Sequence, residues 1–232
     1  MTKRYALIPV KELDRAKARL SAVLDDTARR ELALAMFHDV LDAALTCSAL
    51  DGVAAVSRDQ TVLAAATEAG AEALAARGGP SAGSGQAPSA GSGQALNQAL
   101  TSAVEQLRVR GVDRVLVLAT DLPLADAESL AAALDADGDV IVVPSGDGGT
   151  NALLCAPGAI DFQFGPDSAR KHLNAAEAAG LRALRLELPR LALDIDTQDD
   201  LDRLPAARDA TGAHTLAALA RFGLLGSPAR KR

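Results

Sequence analysis

Side chains able to hold a divalent cation and phosphate oxygens recur in this chain just beyond apolar runs. Asp121 follows the run Val115-Leu116-Val117-Leu118-Ala119 and precedes Pro123 by two residues. A run so rich in Val and Leu predicts a strand buried on both faces, as in a parallel sheet. Asp121 then falls at the strand's carboxyl edge, where open α/β sheets bind their ligands. It is either a metal ligand or the cap of a helix expected from about Asp126 to Leu134. Asp194 and Asp196 stand at i and i+2, with apolar Ile195 turned inward between them. In an extended segment two such carboxylates share a face, roughly 7 Å apart. They repel unless a cation is present, and a divalent metal is the economical one. The alternative is that Thr197 or Asp196 caps a helix from Asp199 to Leu204.

Cations and hydroxyls complete the set. Lys11, Lys17 and Arg19 follow the first expected strand, Tyr5 to Val10, where a nucleotide fold would place its phosphate loop. Neither G-x-x-x-x-G-K-[ST] nor G-x-G-x-x-G occurs, so side-chain cations would hold phosphates here. The alternative is a solvated helical face. Gly146 to Asn151 forms a glycine-rich turn that carries Thr150 into an apolar strand. Ser168 precedes a helix from about Ala169, and with that helix's first amides it makes a phosphate or carboxylate site. Ser168 as a plain cap is equally open. Arg170, Lys171 and His172 add positive charge nearby. At ~4 Å and an effective dielectric near 20, two unit charges interact by about 4 kcal/mol. Metal and lysines would therefore offset much of the repulsion between a triphosphate and an anionic co-substrate. Catalysis of that kind is mostly positioning and electrostatics. No Ser-His-Asp or Cys-His arrangement competes for the chemistry.

The elements needed to position these groups are those of an α/β sheet. Strands are expected at Tyr5–Val10, Gly52–Ser57 and Glu72–Leu74, with helices at Thr27–Leu45 and Thr61–Glu68. That βαβαβ order predicts a right-handed, Rossmann-like half-sheet. A helix at Leu96–Val109 follows, then the strand before Asp121, a helix at Ala125–Leu134, and strands at Val140–Pro144, Ala152–Cys155 and Leu181–Leu188. Between the third strand and Leu96 the octapeptide PSAGSGQA occurs twice in tandem, at 80–87 and 88–95. Gly, Ser, Ala and Pro at this period cannot stack as a solenoid, so 78–95 reads as a flexible loop. Its glycines, Gly93 among them, would let backbone approach a ligand, while Asn97 either caps the next helix or bonds a base or ribose. Residues 1–210 read as a single domain. A short helix and a basic tail, expected to be disordered from Ser227, make up 211–232.

Composition narrows the classes. Among 232 residues there are four Phe, one Tyr and no Trp, and the net charge is −6. Both features argue against a nucleic-acid surface. No apolar run approaches the ~20 residues of a membrane span. Cys47 and Cys155 lie far apart without metal-ligand spacing, which places the chain in a reducing cytoplasm.

Six ordered motifs carry a family resemblance. They are Ile8-Pro9-Val10-Lys11 with Ala16-Lys17-Ala18-Arg19-Leu20, then Leu96-Asn97-Gln98-Ala99-Leu100, then Asp121-Leu122-Pro123. Gly148-Gly149-Thr150-Asn151-Ala152-Leu153, Phe164-Gly165-Pro166-Asp167-Ser168 with His172, and Asp194-Ile195-Asp196-Thr197 with Asp200-Leu201 follow. Over about residues 5 to 204 the chain resembles the 2-phospho-L-lactate guanylyltransferase family, also described as phosphoenolpyruvate or 3-phosphoglycerate guanylyltransferases. The resemblance implies a GT-A-type nucleotidyltransferase fold, a mixed and mostly parallel sheet flanked by helices. It implies GTP and a small phosphorylated three-carbon acid as substrates, diphosphate as leaving group, and a place in coenzyme F-420 biosynthesis. It implies Mg2+ on Asp121, Asp194 and Asp196, with the acid at Thr150, Gly165 and Ser168. Lys11, Lys17 and Arg19 would steady the GTP phosphates, with Lys11, Lys17 and Asp121 closest to catalysis. The loop at Gly93 and Asn97 would meet the guanine, although the duplicated octapeptide makes it longer than the family's usual spacing. A homodimer is a further implication. The alternatives are a molybdopterin- or sugar-type nucleotidyltransferase, whose Gly-Gly-rich opening is replaced here by Pro9-Val10-Lys11, and a nucleotide-binding module without turnover.

Overall fold

The computed structural model describes residues 2–76 and 91–224. The first PSAGSGQA copy, the opening of the second and the basic tail lie outside the described residues, and so do the expectations of flexibility and disorder attached to them. Seven strands form one sheet: β1 (Arg4–Pro9), β2 (Gly52–Ser57), β3 (Glu72–Ala75), β4 (Arg114–Leu118), β5 (Val140–Pro144), β6 (Thr150–Cys155) and β7 (Ala183–Arg185). Their order is β3-β2-β1-β4-β6-β5-β7. β6 is antiparallel to β4 and β5, and the other pairings are parallel. The expected mixed, mostly parallel sheet is borne out.

Both faces of the sheet are apolar, and the period of two along each strand sorts the side chains. Ala6 and Ile8 of β1 and Leu116 and Leu118 of β4 join one core, which α1 (Asp26–Thr46) covers with Phe37, Val40 and Leu41. Leu7, Val115 and Val117 join the other, covered by Leu100, Val104 and Leu107 of α3 (Gly91–Val109). The result is a three-layer α/β/α arrangement. A third, smaller cluster lies beyond the sheet's edge and includes Leu20, Met36, Leu124, Ile195, Leu201 and Leu219. Three of these, Leu20, Leu124 and Ile195, lie within three residues of Lys17, Asp121, Asp194 or Asp196. The small core therefore ties three separate loops together.

The reversed direction of β6 matters for function. Its first residues, Thr150 and Asn151, sit at the same edge as the carboxyl end of β4, and Ala119 donates its N–H to the Asn151 carbonyl at 2.8 Å. Four expectations need correction. β7 spans three residues, not 181–188, and a short helix, α6 (Pro189–Ala192), follows with proline at its start. α3 begins at Gly91 rather than Leu96; its glycines weaken the helical signal in sequence but not the packed helix. Lys11 to Leu20 is no continuous helical face. It holds two 3-10 turns, Leu13–Arg15 and Ala18–Leu20, separated at Lys17 by a left-handed backbone of φ 52°. Leu193 to Thr197 is irregular rather than a strand.

At the far end of the chain, α8 (Ala213–Arg221) docks on α1. Asp39 of α1 is buried and accepts from His214 N at 3.0 Å and Thr215 N at 2.9 Å, capping α8 from outside. Gly212 permits this close approach, since a Cβ there would lie 2.1 Å from the Asp39 Cγ. Gly212→Ala is expected to cost about 1–3 kcal/mol of stability through overpacking. Urea unfolding checks this; an unchanged midpoint would contradict it. Cys47 and Cys155 are buried and unpaired. No described helix is long and apolar enough to cross a membrane.

Candidate active site

Two loops and a turn meet at the carboxyl edge beside β4. Asp121 lies three residues past the strand's end, and the 193–197 segment crosses next to it, Ile195 donating its N–H to the Asp121 carbonyl at 3.1 Å. Lys17 comes in from the turn after β1. Its Nζ donates to Asp121 Oδ2 at 2.5 Å and to Asp196 Oδ1 at 2.8 Å. The Lys17 side chain is only 8% exposed. Burial opposes its charge, but the carboxylates of Asp121 and Asp196 outweigh burial and hold its pKa above the ordinary lysine value. Lys17 is thus a fixed cation at the sheet edge, not a member of a solvated face. Among the described residues only Lys17 and Asp167, φ 56°, are non-glycines with left-handed backbone, and both belong to this region. Such strain persists where surrounding structure over-determines it, as functional sites do.

The helix caps are assigned to other residues. Asp126 caps α4 (Ala127–Asp135) by accepting from Ser129 N at 2.9 Å. Thr197 caps α7 (Gln198–Arg203) in a reciprocal box with Asp200. Neither Asp121 nor Asp196 serves as a cap, and the cap expected at Thr197 or Asp196 is Thr197.

Asp194 sits deeper. Burial raises its pKa to about 6, and the Asp121 carboxylate adds to the rise, against an opposing hydrogen bond from the Asn151 side chain. The same Asn151 side chain donates to the Leu191 carbonyl at 2.9 Å. Among the described residues no three Asp, Glu, His or Cys side chains gather as a metal-holding group, and the ammonium of Lys17 lies between Asp121 and Asp196. The donor chemistry still fits a hard cation: carboxylate oxygens, one of them short of a counter-charge, surround a place already taken by a positive group.

The raised value at Asp194 carries a sign. At low pH both folded and unfolded states hold the proton, and no penalty arises. As pH rises from 3.8 to about 6 the unfolded chain ionises first, so the folded state loses stability there and does not regain it at neutral pH. Asp194→Asn, compared in chelator, is therefore expected to raise stability at pH 8 by about 1 kcal/mol once solvent screening is allowed for. The gain should shrink at pH 5, and a lower urea midpoint for the variant at pH 8 would contradict it.

A second cluster lies on the other side of Thr150. Thr150 Oγ1 is 2.9 Å from Ser168 Oγ and 3.1 Å from His172 Nδ1, and all three residues are buried. Ser168 opens α5 (Ser168–Ala178), whose cap position belongs to Asp167, so Ser168 is not the cap. His172 Nε2 accepts the Gln163 N–H at 2.9 Å, and Phe164 packs edge-on against the ring at 4.9 Å. Burial, with Lys171 adding, pushes His172 down to about 4, so it contributes no positive charge, contrary to expectation. Gly165, at φ 135°, turns the chain between Phe164 and α5 through a conformation open to glycine. Asn97 lies inside α3 and is not its cap. Its amide gives to the Phe164 carbonyl at 3.3 Å and accepts from the Phe164 N–H at 2.9 Å. Gly93 faces the same carbonyl, and Gly93, Asn97 and Gly165 line one open cavity of about 1040 Å³.

Lys11 and Arg19 remain exposed on the β1 side. Arg19 is near enough to the Ser145–Gly149 turn to help hold Asp147 below the usual carboxylate range, behind hydrogen bonds from Ser145 and Gly149. Two roles were not read from the sequence: that of Asn151, whose side chain bonds Asp194, and that of His172 as a buried neutral ring. Their signal was position alone, directly after Thr150 and one turn into α5.

Comparison with known proteins gives the family and the fold. A family model described as "Guanylyl transferase CofC like" matches residues 4–81 and 90–225. The break in that match, 82–89, is the length of one octapeptide copy. The phosphoenolpyruvate guanylyltransferase of Roseiflexus sp. (strain RS-1) is 39% identical over 217 residues, covering 92% of this chain and 90% of that protein. The 2-phospho-L-lactate guanylyltransferase of Methanobrevibacter ruminantium is 34% identical over 206 residues, covering 88% and 86%. A crystal structure from Desulfovibrio desulfuricans G20, described as a nucleotide-diphospho-sugar transferase, superposes with a TM-score of 0.75 over 97% of each chain. At 20% identity that likeness speaks for the fold. With the family model spanning nearly every described residue, the chain belongs to the CofC-like guanylyl transferase family.

Proposed function

We propose that this protein transfers GMP from GTP to the phosphate of a three-carbon phospho-acid, with release of diphosphate. A phosphate oxygen of the acid attacks the α-phosphorus of GTP, the new P–O bond forms, and the bond to the β-phosphate oxygen breaks. The observation that carries this reading is the buried Lys17 ammonium between Asp121 and Asp196 at the sheet's carboxyl edge. It supplies fixed charge where phosphates would meet, and carboxylates where a divalent cation would. Asp121, Asp194 and Asp196 would hold Mg2+, which when bound neutralises charge on the triphosphate and the departing diphosphate. Lys17 orients the phosphates by charge, with exposed Lys11 and Arg19 extending that positive edge. Thr150, Ser168 and the amides at the start of α5 bind the acid, and Gly165 keeps the approach open. The guanine sits toward Gly93. Asn97 serves it indirectly, by clamping the Phe164 segment.

Phosphoenolpyruvate is the first candidate acid, ahead of 2-phospho-L-lactate and 3-phosphoglycerate, a choice supported by relatives named for it at up to 39% identity. Family membership supports a step in coenzyme F-420 biosynthesis. Diphosphate release measured for GTP, ATP, CTP and UTP against each acid tests the proposal. Release with GTP and phosphoenolpyruvate is expected; no release from GTP with any of the three acids would overturn it.

A further inference from the structure

The hydrogen-bond polarity around His172 can be followed atom by atom. The Gln163 backbone N–H can only donate, and it points at His172 Nε2 at 2.9 Å. Nε2 therefore carries no proton, and the neutral ring keeps its proton on Nδ1. Nδ1 lies 3.1 Å from Thr150 Oγ1, so Thr150 accepts. Thr150 and Ser168 own one hydroxyl proton each, and their oxygens are 2.9 Å apart. Only one of the two protons can lie between them. The other has no acceptor among the described residues, whichever hydroxyl bears it. Had His172 accepted from Thr150 instead, both protons would be consumed internally.

We infer that His172 is a positioning residue for the acid substrate: by donating to Thr150 it leaves the Thr150–Ser168 pair with one uncommitted hydroxyl proton, a donor reserved for a phosphate or carboxylate oxygen. The inference rests on the acceptor site proposed above and adds a residue that does not itself touch substrate. The surroundings support it. Thr150 opens β6 at the ligand edge, Ser168 opens α5, and the ring is fully buried with Phe164 packed edge-on at 4.9 Å. Asn97 in turn holds that phenylalanine's backbone through both of its amide atoms. A buried donor left without an acceptor costs free energy until a ligand supplies one. Such a site also discriminates against ligands that bring a donor instead of an oxygen anion.

The test compares the full chain with His172→Phe and His172→Asn under steady state, varying GTP and phosphoenolpyruvate separately. His172→Phe keeps a ring of similar shape but no N–H. It should raise KM for the acid at least ~10-fold, which corresponds to about 1.4 kcal/mol, and leave KM for GTP within about twofold. His172→Asn keeps an N–H near the Nδ1 position and should bring KM for the acid back to within ~3-fold of the parent. A merely structural histidine would move both KM values together and would show no rescue by Asn. Turnover by the parent with an unchanged acid KM in His172→Phe overturns the inference alone. No turnover by the parent with any of the three acids overturns the functional reading, and the inference with it. Should His172→Phe fail to fold, 15N spectra of the parent decide the matter. A proton on Nδ1 is expected, and a proton on Nε2 would refute the relay.

Discussion

Asp121→Asn is expected to lower diphosphate release by about 10²–10³-fold while leaving the fold intact. The carboxylate does two things that an amide cannot. Its Oδ2 is the nearer counter-charge to the Lys17 ammonium, at 2.5 Å against 2.8 Å for Asp196. It is also the acid whose charge helps to raise the neighbouring Asp194, so it sets the negative potential of the whole edge. Asparagine removes that charge and offers Lys17 one neutral acceptor, so the ammonium is drawn toward Asp196 and away from its present place. Stability should change little. The link from Ile195 N to the Asp121 carbonyl is a backbone contact and survives. Leu122 and Leu124 beside it stay buried. Diphosphate release together with a thermal melt separates the effects. Activity within ~3-fold of the parent would contradict the assignment of Asp121.

Ile195→Ala is expected to have the largest effect on stability, about 2–5 kcal/mol, or on the order of 10 °C in Tm for a chain of this size. Ile195 is fully buried between two carboxylates that are not. It belongs to the small cluster with Leu20, which follows Lys17, and with Leu124, which follows Asp121. Truncation leaves a cavity where three site-bearing loops meet, so activity should fall as well, measured at a temperature where the variant is still folded. Val109→Ala, at a residue 76% exposed, serves as the control and should leave the melt unchanged. An Ile195→Ala melt within about 2 °C of the parent would show that the loops hold their places without this cluster.

Much of this was legible in sequence because the strands are apolar runs that end in polar turns. β2 and β5 carry the expected bounds, and β4 ends at Leu118, three residues before Asp121. The inward turn of Ile195 followed from the i and i+2 spacing of the two aspartates. Other features could not be read from periodicity. The left-handed backbone at Lys17 breaks a pattern that otherwise resembles a helical face, and its side chain ends between two carboxylates from distant segments. β7 reads longer because Leu186 and Leu188 continue the alternation, whereas the ladder ends at Arg185. His172 was misread for a general reason. A histidine in a basic tripeptide looks charged, but its burial and a backbone N–H pointing at its ring make it neutral. Asn97 has the residue type of a cap and acts instead across space, on a loop 67 residues away.

The central claim is that this edge joins a nucleotide's α-phosphate to the phosphate of a small acid. 31P NMR of the protein with GTP, Mg2+ and phosphoenolpyruvate reads that bond directly. The account predicts free diphosphate together with two coupled resonances from a new mixed diphosphate. GTP resonances that stay unchanged, with phosphoenolpyruvate and with either of the other two acids, would contradict it, and so would release of orthophosphate in place of diphosphate.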